Sequence, residues 1–456
     1  MKSIILLFIV FIFHSFINLP IFSQANIGRD TNILKMVNSV SSERIKKNIE
    51  KLVGFKTRHT LSKTDSDTQG IGAARRWVKK TFEQYAKNSN GRMEVYFDSF
   101  TLEPDGRRIN RTVELKNVIA KLKGTDKNDD RIFIVSGHLD SRNSNAMDAT
   151  GFAPGADDDA SGVAVLMELA NILSKNKFPS TILFVAFSGE EQGLYGSKHL
   201  AKKAKNEKWN IIAVFNNDMV GGNNTSGTNL FTNEKVRIFS EGVPAFETEQ
   251  MAKIRKYLSS ENDSRSRQLA RYIKEIGEKY VDQIEVKLIY RKDRFLRGGD
   301  HIPFNNAGFT AVRICEMHEN YYHQHQNVLI KDGIEYGDLL KFVDFNYIKK
   351  ISQINLSALT NLALAPKAPN NVRIDVSKLT NFSTLFWNKS IDDRAKGYNI
   401  LIRETSFSTW QKKIFTEDST ITIPYSKDNF LFGVQTVDDK GHTSLPVIPV
   451  PDFKRN

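Results

Sequence analysis

The sequence predicts an α/β fold with a mostly parallel central sheet flanked by helices, followed by a C-terminal all-β sandwich. Apolar strand-like runs alternate with helical patterns through the middle of the chain, which is typical of parallel sheets covered by helices. Several of these runs end in polar residues, and ligand sites of such sheets lie at the carboxyl ends of the strands. The last part of the chain lacks helical periodicity and contains short alternating strands, which predicts the sandwich.

The length of 456 residues favours two to three domains, and 40% hydrophobic with 26% charged residues is ordinary for a globular protein. The formal net charge is +13. The Lys and Arg residues are spread along the chain rather than gathered in one basic arm, so we expect no nucleic-acid partner.

The N-terminus predicts a signal peptide over residues 1–25. Lys2 precedes the apolar run Ile4–Phe13, and small residues follow around "FSQA", which is the pattern of a secretory signal. We therefore expect a secreted or periplasmic protein without stable membrane insertion after signal removal; an N-terminal membrane anchor is the alternative. The single cysteine, Cys315, excludes an internal disulfide framework, so stability must come from core packing or bound metal.

Residues 26–363 form the predicted catalytic domain. Helical patterns cover 41–51 and 70–85. The later apolar runs have either the spacing of a helix or the continuous or alternating pattern of a strand. We predict strands in 111–124, 131–141, 180–191, 209–221 and 308–319, and helices in 161–173 and 196–205. The charged segment 247–283 predicts helices that either border the site or form a solvated pair.

Residues 364–372 predict a linker, because their composition shifts to Ala, Pro and Asn. Short alternating strands follow over 373–456, at sandwich-like intervals. With the Ala-Pro linker, Trp387 in an early strand and Tyr398 in "GYNILIR" resemble a fibronectin type III module. We expect it to bind carbohydrate or a surface, to self-associate, or to stabilise the rest of the chain.

Polar residues gather at the predicted strand ends, and together they predict a metal site. Any one of them has a structural explanation, but their combined negative charge at one sheet edge would be costly without cations. Imidazole and carboxylate without thiolate is a ligand set that suits catalytic zinc. The candidates are His138, Asp140, Asp157, Asp158, Asp159, Glu190, Glu191, Asp218 and His323.

The spacing within these motifs suggests distinct roles. One carboxylate can bridge two ions about 3.5–4 Å apart, so an aspartate of the 157–159 run can serve two metals. His138 and Asp140 lie two residues apart on a strand, so the acid can orient the imidazole from one face. In the Glu190-Glu191 pair, one carboxylate can bind metal while its neighbour stays free as a base.

The order of these motifs resembles the co-catalytic di-zinc aminopeptidase family, represented by secreted bacterial leucyl aminopeptidases, which also includes glutamate carboxypeptidase and a glutaminyl cyclase branch. The resemblance covers residues 116–327. It rests on "GHLDS" at 137–141, "PGADDDASG" at 154–162, "GEEQGLYGS" at 189–197, "NDMVG" at 217–221 and "YH" at 322–323.

The resemblance implies a zinc exopeptidase fold, two zinc ions and roles for individual residues. Asp158 would bridge the ions, followed by a cis peptide to Asp159, and Glu190 would be the general base. The remaining ligands implied are His138 and Asp218 on one ion, and Glu191 and His323 on the other. Asp140 would support them without binding metal.

Two departures from the family pattern keep alternatives open. The usual Thr and Asp after the last histidine are replaced by Gln324 and Asn327, and His325 competes with His323; we favour His323 because Tyr322 precedes it. "GGDHIPF" at 298–304 looks closer to the glutaminyl cyclase branch. That branch typically has a single aspartate in the metal loop and one zinc, so the triple acid favours the two-metal hydrolase.

The predicted activity is therefore an aminopeptidase that acts on peptides with a free N-terminus. A carboxypeptidase, a dipeptidase or a glutaminyl cyclase on the same scaffold is the alternative. A non-catalytic receptor would lack ligands or the base, and here every position is filled. Tyr322, Asp300 and His301 are the candidate substrate-binding residues.

Overall fold

The computed structural model describes residues 23–24 and 28–452. The predicted signal peptide lies outside the described residues except for the two-residue strand β1. The strands are β1 Ser23–Gln24, β2 Met93–Leu102, β3 Val113–Leu122, β4 Arg131–His138, β5 Thr181–Phe187, β6 Asn210–Asn217, β7 Lys235–Phe239, β8 Glu285–Ile289, β9 Ala311–Glu316, β10 Leu329–Lys331, β11 Ile334–Tyr336, β12 Asn370–Asp375, β13 Ser383–Asn388, β14 Gly397–Glu404, β15 Lys412–Thr416, β16 Thr420–Ile423, β17 Phe430–Val437 and β18 Val450–Asp452.

The helices alternate with these strands through the first part of the chain. They are α1 Thr31–Asn38, α2 Ser42–Val53, α3 Gly70–Ala86, α4 Ala160–Leu173, α5 Glu190–Gly193, α6 Tyr195–Asn206, α7 Glu249–Leu258, α8 Arg265–Tyr280, α9 His301–Ala307 and α10 Phe345–Leu364. None of the helices in these ranges combines the length and apolar character needed to cross a bilayer.

The central sheet has eight strands within the described ranges, in the order β2-β3-β5-β4-β6-β9-β7-β8. Four neighbouring pairs are parallel, namely β5-β4, β4-β6, β6-β9 and β7-β8. The other three are antiparallel. The α/β prediction is confirmed as a mixed sheet flanked by helices, with its parallel strands at the centre.

Helices cover both faces of the sheet, which explains why the central strands read as continuous apolar runs. Alternate residues of β4 point to opposite faces: Phe133 packs in the layer of α4, α8 and α10, and Ile134 in the layer of α6 and α9. Almost all of α4 is buried. The segment 247–283 divides in two, because α7 buries no residue while α8 packs into the core.

The C-terminal strands, together with the short N-terminal strand β1, form two further four-stranded sheets, β1-β15-β14-β17 and β16-β13-β12-β18. They share a core that includes Trp387 and Tyr398, whose rings meet edge to face at 5.0 Å. The all-β prediction is confirmed, whereas the fibronectin type III resemblance stays a prediction. The predicted linker 364–372 is shorter in the structure, because α10 ends at Leu364 and β12 begins at Asn370.

Candidate metal centre

The carboxyl ends of β4, β5 and β6 bring the candidate ligands to one edge of the central sheet. Asp158 lies in the loop just before α4, and the segment after β9 closes over the same edge. Two groups of donor atoms form there, and within each group the atoms lie within 4.8 Å of one another. The first group is His138, Asp158 and Asp218, and the second is Asp158, Glu191 and His325. Asp158 belongs to both groups.

The first group is held on rigid elements. His138 Nε2 lies 3.0 Å from Asp158 Oδ1 and 3.8 Å from Asp218 Oδ1. Its Nδ1 donates to the main-chain oxygen of Asp140 at 3.0 Å, which leaves Nε2 facing the carboxylates. Arg313 donates to Asp218 Oδ1 at 2.8 Å.

The second group contains His325 and not His323. His325 Nε2 lies 2.9 Å from Asp158 Oδ2 and 3.0 Å from Glu191 Oε1. The ring of His323 instead stacks on Phe342 at 3.7 Å, and burial lowers its pKa to about 4. The expectation that His323 stands beside Glu191 is wrong.

The local backbone explains this difference. The segment turns after Asn320, whose main-chain oxygen accepts hydrogen bonds from the amides of His323 and Gln324. His325 itself has a left-handed conformation with φ 55°. This turn directs the second histidine of "HQH" to the ligand atoms, which neither the spacing nor the preceding tyrosine reveals.

Asp140 organises the loop that carries the two glutamates. Its Oδ1 accepts the amides of Gly189 (3.0 Å) and Glu190 (3.1 Å), and its Oδ2 accepts that of Glu191 (3.0 Å). Its carboxylate is 3.8 Å from His138 Nδ1, farther than its own main-chain oxygen. Asp140 therefore acts on His138 mainly through its carbonyl, and on the glutamates through its carboxylate.

The three consecutive aspartates have three different environments. Asp158 faces the ligand atoms. Asp159 caps α4 by accepting from Gly162 (3.0 Å) and accepts the amide of His138 (2.8 Å), while Asp157 accepts the amide of Gly221 (2.7 Å). The Asp158–Asp159 peptide bond is cis, as the family resemblance implies.

Glu190 is near the first group without belonging to it. Its Oε2 is 4.0 Å from His138 Nε2. Its side chain is 13% exposed and lines a cavity above the two groups of donor atoms. Burial raises its pKa and the charge of His138 lowers it, but the nearby Asp218 and Glu191 raise it again. The pKa of Glu190 therefore lies well above its ordinary value.

The shared carboxylate has the opposite electrostatic environment. Burial raises the pKa of Asp158, but the charges and hydrogen bonds of His325 and His138 lower it more, so it lies well below its ordinary value. For His325, burial lowers the pKa, and the contacts with Glu191 and Asp158 raise it to about 9. The lowered pKa of the carboxylate and the raised pKa values of the imidazoles reflect their mutual attraction, and a bound cation would take the place of the proton on each imidazole.

The donor set fits zinc. Each group supplies three protein donors of the nitrogen and carboxylate-oxygen type, which is the number that catalytic zinc sites use while keeping one position open. The shared aspartate offers one oxygen to each group, Oδ1 towards His138 and Oδ2 towards His325.

The groups open into a cavity of about 580 Å³. The candidate substrate-binding residues do not line it. Asp300 is buried and accepts a hydrogen bond from Ser197, and burial raises its pKa to about 7. His301 is also buried and donates to Lys292 O at 2.8 Å, while Tyr322 packs edge to face on Tyr336.

Several residues that line the cavity are not apparent from the sequence. Besides the candidate ligands and Glu190, the lining residues include four arginines, Tyr321 and Gln324. Gln324 Nε2 donates to Asp158 Oδ2 at 3.1 Å. The position of Gln324 between His323 and His325 is the one feature of the sequence that could have indicated this role. The arginines come from separate loops and leave no common motif.

The comparisons with known proteins identify the family of the chain. The family model of peptidase family M28 matches residues 117–331. A probable zinc metalloprotease of Leptosphaeria maculans is 42% identical over 425 residues, which cover 92% of this chain and 97% of the relative.

Two solved structures share the fold. LapB from Legionella pneumophila has a TM-score of 0.52 at 18% identity, over 75% of this chain and 78% of its own. The LapA aminopeptidase of Legionella pneumophila has a TM-score of 0.51 at 19% identity, over 80% of each chain. At such low identity, the likeness concerns the fold alone.

Proposed function

The chain belongs to peptidase family M28 and is a zinc metallopeptidase, and we propose that it is a secreted exopeptidase, more narrowly an aminopeptidase acting on peptides with a free N-terminus. The observation that carries this proposal is the position of Asp158, whose two oxygens face His138 at 3.0 Å and His325 at 2.9 Å. A carboxylate in that position supports a site for two zinc ions.

Six side chains then take defined roles in the proposal. Asp158 would contribute to holding both ions, and Asp140 positions the loop of the two glutamates without binding metal. His138 and Asp218 would hold one ion with it, and Glu191 and His325 the other. His325 thus replaces His323 of the sequence-based hypothesis.

When bound, the ions acidify a water molecule and polarise the carbonyl of the scissile peptide. Glu190 lies beside the first group and projects into the cavity. We assign it the proton transfer: its carboxylate takes a proton from the attacking water and delivers it to the leaving amine. His138 stays fixed by its bond to the Asp140 carbonyl throughout.

Export through the N-terminal segment, and surface or carbohydrate binding by the C-terminal sheets, belong to the same proposal. Both rest on sequence patterns. Export is supported by Lys2 and the apolar run Ile4–Phe13.

The test combines zinc stoichiometry with three assays on the full chain. We expect two zinc ions per chain by elemental analysis and hydrolysis of aminoacyl 4-nitroanilides. N-blocked peptides should be inert, and N-terminal glutamine should not cyclise. Cleavage of N-blocked peptides from the C-terminus, or cyclisation without hydrolysis, would contradict the aminopeptidase assignment.

A further inference from the structure

Four guanidinium groups line the cavity above the candidate ligands. They come from the β2–β3 loop, the segment after β4 and the β8–α9 loop, and belong to Arg108, Arg142, Arg294 and Arg297. Because the loops are far apart in the sequence, the folded chain alone creates this concentration of positive charge.

These arginines are only partly neutralised by other residues of the wall. Arg294 and Arg297 share one carboxylate, that of Glu319, at 3.3 and 3.0 Å. Glu319 also pairs with Arg237 at 2.7 Å. Asp293 also pairs with Arg294 at 3.3 Å. Two carboxylates therefore meet three guanidinium groups, and this part of the cavity wall keeps a net positive charge.

The candidate metal site does not need that charge either. In the proposed function, two divalent ions bring four positive charges, which equal those of the four acids at the site. These acids are Asp158, Glu190, Glu191 and Asp218. Asp218 already has a guanidinium partner, Arg313 at 2.8 Å. Arg142 likewise pairs with Glu191 at 3.0 Å. The excess positive charge of this cationic wall is therefore that of Arg108, Arg294 and Arg297, which line the space where a substrate must lie.

Two of the arginines keep donors available to a ligand. Arg297 uses Nη1 for Glu319 and for Gln324 (3.2 Å), and its side chain is 32% exposed. Arg108 uses Nη1 for the main-chain oxygen of Glu191 at 2.5 Å. Within residues 28–452, neither makes a side-chain hydrogen bond through Nε or Nη2. Such an edge presents two parallel N–H donors, which match a carboxylate.

We infer that this cavity selects peptides that carry a carboxylate next to the scissile bond, and that Arg297, assisted by Arg108, holds it. The inference rests on the proposed exopeptidase function and specifies its substrate class. The carboxylate has two possible sources: an acidic N-terminal side chain, or the free α-carboxylate of a dipeptide. Both present the same planar anion to the guanidinium edge.

Two substrate pairs distinguish the sources in the zinc-loaded full chain. Aspartyl and asparaginyl 4-nitroanilide differ in side-chain charge at nearly constant shape. Leucyl-leucine and leucyl-leucinamide differ only at the C-terminus. We expect kcat/KM to favour the carboxylate substrate by about tenfold to a hundredfold in one pair, the range of a hydrogen-bonded charged contact.

Arg297→Gln should abolish most of this preference by slowing the carboxylate substrate far more than its neutral partner, and Arg297→Lys should restore part of it. Arg291→Gln is the matched control, because Arg291 lies in the same loop, contacts the Phe295 ring and does not line the cavity. Zinc content and thermal midpoint confirm that each variant folds.

Equal rates within both pairs would overturn the inference while leaving the exopeptidase proposal intact. A preference that survives in the double variant Arg108→Gln/Arg297→Gln would overturn it as well. If none of the four substrates were hydrolysed, the exopeptidase proposal would be overturned, and this inference with it.

Discussion

The candidate metal centre and the junction with the C-terminal sheets both bury charged side chains, but they balance charge in different ways. At the metal centre, Asp158, Glu191 and Asp218 crowd around two imidazoles. There, Arg313 pairs with Asp218 and Arg142 with Glu191. Within the described residues, however, the shared Asp158 has imidazole and amide partners and no guanidinium group. At the junction, each buried carboxylate has two guanidinium partners.

Two ionic clusters make up the junction. Asp129 pairs with Arg131 at 2.6 Å and with Arg394 of the C-terminal part at 3.0 Å. Arg131 also donates to the main-chain oxygens of residues 365 and 366 at the end of α10. These contacts fix the linker and the sheets beyond it against the peptidase domain.

The second cluster is centred on Asp263. It pairs with Arg271 at 3.3 Å and with Arg403 of β14 at 2.7 Å, and all three side chains are about 2% exposed. A buried charge with its partners in the same chain fixes structure and offers nothing to a ligand. The shared Asp158, with an imidazole on each side instead of a guanidinium group, is the buried acid whose environment favours a bound cation.

The largest expected effect comes from neutralising Glu190, the glutamate that the proposal leaves free of metal. Glu190→Gln should lower kcat about 10²- to 10⁴-fold, the usual contribution of a general base, because the amide cannot accept the proton. Zinc content should stay at the wild-type value. Steady-state kinetics and elemental analysis on the same sample measure both.

Glu83→Gln is the control for this variant, because Glu83 is an exposed helix residue paired only with Lys79. It should leave kcat unchanged. If Glu190→Gln lost zinc, Glu190 would be a ligand, and the distinction between the two glutamates would fail.

A pair of histidine variants sharpens the comparison at the level of single ligands. His325→Ala removes the imidazole that lies 2.9 Å from Asp158, so it should lose one of the two bound zinc ions and most activity. His323→Ala removes a ring stacked on Phe342 and should keep both ions. Zinc titration with a competing chelator measures the difference; equal loss in both variants would contradict the assignment.

The outcome for these histidines shows what the sequence could predict. Ligands at the ends of central strands were predictable, because buried strands read as apolar runs and their carboxyl ends meet at one edge. This applies to His138, the last residue of β4, and to Asp218, which follows β6 directly. His325 lies in an irregular loop, and only the backbone turn decides which of two nearby histidines faces Asp158.

The cationic wall and the edge of the sheet could not be predicted for a related reason. Arg108 and Arg297 lie in loops whose relative position depends on tertiary packing. Strands β7 and β8 are five residues each and mix charged with apolar side chains, so their periodicity is too short to distinguish from a loop. Both features depend on contacts between distant segments.

Breaking the complete charge balance at the junction should cost stability rather than activity. The Asp129 carboxylate is 0% exposed beside an almost equally buried Arg131. Asp129→Asn leaves that guanidinium unpaired, which costs about 3 kcal/mol in free energy of unfolding. Urea denaturation at pH 7 measures this loss, and kcat/KM of the folded variant should equal that of wild type.

The same pair gives a pH dependence with a definite sign. Burial raises the pKa of Asp129, but the hydrogen bonds and charge of Arg131, with the bond from Arg394, lower it more, so its pKa lies below the ordinary value. A lowered pKa stabilises the fold above the unfolded value of about 3.9 and loses that effect as pH falls through the folded value. The difference between wild type and Asp129→Asn should therefore be full at pH 7 and shrink below about pH 4; a constant difference would contradict the ion pair.

The smallest effect is expected for an ion pair in the C-terminal sheets that water reaches. Lys396 and Glu417 are 3.1 Å apart, close to the distances at the junction, but their side chains are 57% and 61% exposed. Lys396→Gln should therefore change the free energy of unfolding by only about 0–1 kcal/mol, measured in the same urea experiment. A loss as large as that of Asp129→Asn would mean that proximity rather than burial sets the strength of these pairs. Burial would then no longer explain why the ion pairs at the junction stabilise the fold more than the exposed pair does, and the comparison between the junction and the metal centre would lose its basis.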